Sequence, residues 1–77
     1  MSEKYNGWSN YETWNVALWA GNDEGSYHYV RENRPYTAVK AERIALELYP
    51  NGTPDMDVRT DMDKVNWSEI AASWNEE

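Results

Sequence analysis

Hydrophobic residues recur at helical spacing in three stretches of the chain. Ala41, Ile44, Ala45 and Leu48 fall at i, i+3, i+4 and i+7, with Ala38 and Val39 near the start. That stripe marks a helix with one buried face. Glu42, Arg43 and Glu47 fall outside it, on the side left for water. Thr37 stands where an N-cap belongs, so the helix is predicted over about residues 37–49. Trp67, Ile70, Ala71 and Trp74 repeat the spacing and predict a last helix over 66–75. Asn66 is its N-cap with Glu69 as reciprocal partner, while Val65 and Ile70 occupy the two staple positions.

Near the N-terminus, Ser9-Asn10-Tyr11-Glu12 reads as a capping box, Ser9 capping and Glu12 reaching back. It opens a helix over about 10–20 in which Tyr11, Trp14 and Leu18 share one face, with Ala17 beside them. Val16 and Trp19 point elsewhere, so this helix is either central or keeps one face for a partner. Gly21-Asn22 is expected to end it, glycine suiting the left-handed residue after a helix. Asn22 or Asp23 then caps a short helix over 23–32, which Pro35 terminates by disfavouring helical geometry at Arg34. Residues 1–7 read as a flexible lead-in and Tyr49–Pro54 as a turn. Residues 55–64 are acidic and lack a period, with no more than a short strand or irregular loop around Met56–Arg59.

The predicted fold class is therefore all-α. It is a single domain over residues 1–77, a compact bundle of three to four helices with an acidic loop before the last. Its expected core is Trp14, Leu18, Ile44, Leu48, Ile70 and Trp74, with Trp67 on the same stripe as Trp74. A domain of 77 residues buries only roughly 60% of its unfolded surface. No cysteine is present to add a disulfide or hold zinc. The reinforcement on offer is aromatic: five Trp and six Tyr, with no Phe, each joining a large apolar body to a polar tip. Trp8 and Trp19 are candidate exposed anchors, since Trp is enriched at interface hot spots; Trp19 stands between that reading and a core position.

Charge narrows the partners. Residues 1–54 hold seven acids and five bases, a net of −2, whereas residues 55–77 hold seven acids and two bases, a net of −5. The whole chain thus reaches −7, which disfavours direct binding to nucleic acid or anionic membrane and favours a partner with a basic surface. Mimicry of DNA by the entire molecule fails on density. A folded chain of 9.0 kDa exposes about 4,900 Å², or about 700 Å² per net charge. A duplex cylinder carries one charge per roughly 100 Å². A local acidic patch is the reading that remains, built on Asp55, Asp57, Asp61 and Asp63.

Nothing in the sequence assembles a catalytic centre. His28 is the only histidine and stands between Tyr27 and Tyr29, with no arranged serine or cysteine. A calcium loop begun at Asp55 would place acids at its first, third, seventh and ninth positions. It has Thr60 where glycine is required and Asn66 where a bidentate Glu is required, so it reads as a solvated acidic loop. The expected assignment is a non-enzyme without catalytic residues, metal or cofactor. No stretch approaches the roughly 20 apolar residues of a membrane span, and Met1–Gly7 lacks the form of a secretory signal, so a cytoplasmic location is expected.

The run Tyr5-Asn6-Gly7-Trp8-Ser9-Asn10-Tyr11-Glu12-Thr13-Trp14-Asn15-Val16-Ala17-Leu18-Trp19 resembles the opening of a family of small uncharacterised proteins from bacteriophages, plasmids and prokaryotic genomes. Asn22-Asp23-Glu24-Gly25-Ser26-Tyr27 and Thr53-Pro54-Asp55 are similar to it as well. The resemblance implies a viral or mobile-element context, hence the cytoplasm of a host cell, and carries no activity with it. The leading expectation is a small acidic accessory or inhibitor that binds a host protein handling nucleic acid. Its candidate contacts are Trp8, Trp19, Asp55, Asp57, Asp61 and Asp63. The alternative is a structural protein that self-associates through its aromatic surface.

Overall fold

A computed structural model describes residues 5–57 and 61–76 of the chain. Residues 1–4 of the lead-in and 58–60 of the acidic segment, including two positions of the strand or loop weighed there, lie outside the described residues, as does Glu77. The described residues form four α-helices and no strand: α1 (Tyr11–Asn22), α2 (Glu24–Glu32), α3 (Ala38–Leu48) and α4 (Trp67–Asn75), with a single 3₁₀ turn at Met62–Lys64. The all-α bundle is the fold that the hydrophobic spacing predicts.

Caps fix most of the helix ends. Asp23 accepts from the Ser26 N–H at 2.9 Å, Thr37 from Lys40 at 3.2 Å and Asn66 from Glu69 at 3.1 Å, each a short polar side chain relieving an orphan donor. α1 begins differently from the sequence pattern. Asn10, not Ser9, is its N-cap, accepting from Thr13 N–H at 2.9 Å. The reason is tertiary: the Asn10 amide also donates to the Lys64 carbonyl at 2.8 Å, which ties the cap to a segment distant in sequence. Gly21 and Asn22 continue the helix instead of ending it, and Asp23, in an extended conformation, ends α1 and starts α2. A residue able to cap the next helix makes a left-handed glycine unnecessary.

The core also differs on α1. Its inward face is Thr13, Val16 and Ala20 with Asn15 beside them, while Trp14 and Leu18 are only half-buried and stand outside the core. Two stripes compete on this helix, and the one with small residues faces inward, where α2 and α4 pack against it. The bulky aromatics turn outward. Ile44, Ile70 and Trp74 are buried as the spacing predicts, Leu48 and Trp67 pack partly buried against them, and Val39 is 78% exposed. The acidic segment adds two core residues of its own, Met56 and Met62. Together with Val65 they pin residues that otherwise offer carboxylates to water.

The 33–37 link is clasped to the end of α4. Asn75 accepts from Tyr36 N–H at 2.7 Å and donates to its carbonyl at 3.0 Å, while the Tyr36 and Trp74 rings meet edge to face at 5.1 Å. Arg34 donates to the carbonyls of Trp74 and Glu76, and Lys40 to those of Asn33 and Pro35. Both cations thereby serve the carbonyl ends of helices, where positive charge is favourable.

Candidate binding surface

The outward face of α1 carries the most distinctive surface of the protein. It starts before the helix, at Asn6-Gly7, where both residues have positive φ (51° and 88°). Asparagine and glycine tolerate that geometry, and together they make a two-residue reversal that suits a hairpin. Tyr5 and Trp8 close it with reciprocal backbone bonds of 2.8 and 2.9 Å. Where a flexible lead-in is predicted, residues 5–8 are therefore a hydrogen-bonded turn. The reversal carries the Tyr5 ring onto α1, 5.3 Å from Tyr11 and 4.8 Å from Trp14, which lie 5.6 Å from each other. Tyr5 remains 41% exposed and Tyr11 37%. Three aromatic rings thus sit together at the surface.

A fixed carboxylate borders these rings. Asn15, fully buried one turn along α1, donates from Nδ2 to the Tyr11 hydroxyl at 3.3 Å and to Asp55 Oδ2 at 2.9 Å. Its Oδ1 accepts from Thr53 Oγ1 at 2.6 Å, and Thr53 Oγ1 in turn accepts from Asp55 N–H at 3.3 Å. The Trp19 indole N–H reaches the same Asp55 oxygen at 3.1 Å. The Asn15 and Trp19 bonds stabilise the anion and hold the Asp55 pKa below the ordinary aspartate value. Tyr11 shows the complementary effect. Desolvation, followed by the negative charges of Asp55, Asp61 and Glu12, raises its hydroxyl pKa.

The predicted contact residues fall in two places. Trp19 and Asp55 come together, and Asp61 acts on the same tyrosine. Asp57 and Asp61 bond one another, Asp57 N–H to Asp61 Oδ2 at 3.0 Å and Asp61 N–H to Asp57 carbonyl at 2.9 Å. Asp63 is exposed on the 3₁₀ turn. Trp8 lies apart from them. Half-buried, it packs against the core and lines a groove of about 240 Å³ with Ala17, Ala20, Val30 and Trp74. Tyr5, Tyr11, Trp14 and Asn15 were not among the predicted contacts. The signal for Tyr5 was the Asn-Gly pair, and the signal for Asn15 was an amide inside an otherwise apolar helix.

His28 is exposed on α2, 3.8 Å from Glu24. Among the described residues no three His, Asp or Glu side chains are grouped to hold a metal ion, and no helix is long and apolar enough to cross a membrane. A family model described as "Family of unknown function (DUF7249)" matches residues 1–76. No curated protein and no solved structure matches the chain.

Proposed function

The chain belongs to this family of unknown function, and we propose that it is a small protein-binding accessory or inhibitor, not an enzyme, that docks a basic partner on the outward face of α1. One observation carries the reading: the Tyr5–Tyr11–Trp14 cluster, with both tyrosines exposed and Trp14 half-buried, lies beside a carboxylate that the fold itself keeps in place and charged. Aromatic anchors supply contact area at low entropic cost, and neighbouring charge supplies steering and register. The net charge of −7 selects Lys- or Arg-rich surfaces. Proteins that handle nucleic acid carry such surfaces by necessity, because they meet phosphate. The resemblance of the Trp-rich opening to viral and mobile-element proteins supports reading its target as a host protein of that kind, met in the cytoplasm of a host cell.

The test is capture from lysate of the natural host on immobilised protein, with elution by rising salt. A basic protein held by the native chain should elute as salt screens the contact. It should be lost from a variant carrying Tyr5→Ala with Asp57, Asp61 and Asp63 changed to Asn, in which the buried Asn15 network is untouched. Equal capture by both chains would remove this face from the reading. Recovery of the bait alone, as an oligomer, would favour self-association instead.

A further inference from the structure

We infer, resting on the binding reading above, that the group this face takes from its partner is an arginine side chain, its guanidinium laid against the Tyr5–Tyr11–Trp14 rings and paired with Asp55. The two bonds that fix Asp55, from Asn15 and Trp19, both end on Oδ2. Among the described residues no donor is aimed at Oδ1, and the residue is exposed. A carboxylate with one oxygen anchored and the other open does not have to be ordered when a partner arrives. The Tyr11 hydroxyl shares the Asn15 amide with it, so ring and carboxylate are tied to the same nitrogen.

That pairing discriminates between cations. A lysine ammonium is a compact, strongly hydrated point charge; it gains from the carboxylates and gives up its hydration for a ring only at a cost. A guanidinium is planar and weakly hydrated, stacks on aromatic faces and keeps in-plane N–H groups for a carboxylate at the ring's edge. Acidic residues alone would treat the two alike. The rings beside Asp55 are what make arginine the better fit.

The experiment is an amide and indole NMR titration of the intact protein with hexa-arginine and, separately, hexalysine, matched in charge and length. Hexa-arginine should move the signals of Tyr5, Tyr11, Trp14, Trp19 and Asp55 and bind about three- to tenfold more tightly than hexalysine. Asp55→Asn should bring the two affinities together. Tyr5→Leu should narrow the ratio too, and it changes a ring outside the buried core, so folding of this variant is secure. Equal affinities at this face would overturn the arginine assignment and leave the basic-partner reading standing. Shifts elsewhere, or none with either peptide, would overturn both.

Discussion

At the scale of single residues, the stability of this small domain turns on Asn15. It has no accessible surface, and its amide joins Tyr11, Thr53 and Asp55. Asn15→Leu keeps the branching of the side chain but not its polar groups, and strands the Thr53 hydroxyl and one side of Asp55. Because the Thr53 side chain is itself buried, the loss should be about 2–3 kcal/mol. Urea unfolding would read it as a lowered midpoint at nearly constant slope; a midpoint equal to the native one would show that Asn15 is not the hub. Protons act on the same residues. Asp55 is held below its ordinary pKa by Asn15 and Trp19, and Asp23 by the Ser26 hydroxyl and N–H. A depressed carboxylate favours the folded state above its unfolded pKa of about 4 and loses that contribution as pH falls through its folded value. The melting temperature should therefore hold steady from about pH 7 to pH 5 and drop below about pH 4, less steeply in Asp55→Asn. At the alkaline end the sign reverses. Burial raises the Tyr36 and Tyr49 hydroxyls, and a hydrogen bond to Glu47 raises Tyr29. Their contribution is complete below about pH 10 and is lost as pH rises through the folded values.

Between elements, the N-termini of α1 and α4 cap one another. Thr13 Oγ1 donates to Asn10 Oδ1 at 2.5 Å and accepts from Asn66 N–H at 2.8 Å, Asn66 Nδ2 donates to Ser9 Oγ at 3.1 Å, and Ser9 N–H donates to Glu69 Oε1 at 3.0 Å. Glu69 therefore closes no box with its own cap; it serves the chain leading into α1. Thr13→Val removes the shared hydroxyl at almost constant shape and leaves the Asn66 N–H unpaired, for an expected loss of about 1–3 kcal/mol. Asn66→Ala should cost about 1 kcal/mol as a lost cap. Since both act on one network, the double variant should lose less than the sum by at least about 0.5 kcal/mol in a denaturation cycle, and strict additivity would deny the coupling. The same network explains what the sequence could and could not disclose. Thr37, Asp23 and Asn66 cap through local bonds, so their helices were legible from spacing and cap chemistry alone. The choice of Asn10 over Ser9 depends on Lys64, a partner in the acidic segment with no local trace. The inward face of α1 was hidden for a related reason. Thr13 and Asn15 count as polar in any hydrophobic stripe, yet both are buried because distant residues satisfy them. The acidic segment held a readable clue in its repeated Asp-Met-Asp, at 55–57 and 61–63, whose two methionines are the residues that turn inward. The proposed binding face was half legible. Asp55, Asp61 and Trp19 follow from charge and residue type, but the rings they border are assembled by the reversal at Asn6-Gly7, which sits ahead of every helix.

For the molecule as a whole, the distribution of charge weighs against self-association through the α1 face. Arg34 and Lys40 are committed to backbone carbonyls, so their charges are held near helix ends. Glu12, Asp55 and Asp61 lie around the α1 rings and act on Tyr11. Two copies meeting at this face would set carboxylates against carboxylates, and the gain from covering three rings would be opposed by that repulsion. The opposition depends on salt: the screening length is about 10 Å at 0.1 M and about 3 Å at 1 M. Light scattering after size exclusion should therefore give the monomer mass of 9.0 kDa at low salt. At about 1 M salt the repulsion is screened and apolar association strengthens, so any self-association should appear there first and should vanish in Tyr5→Ala. A dimer already stable at low salt would require a face that complements itself in charge, which this one does not. Such a result would move the contact away from α1, toward the second exposed aromatic pair, Tyr27 and Tyr29 on α2, where Arg31 already lies over the Tyr27 ring at 5.6 Å.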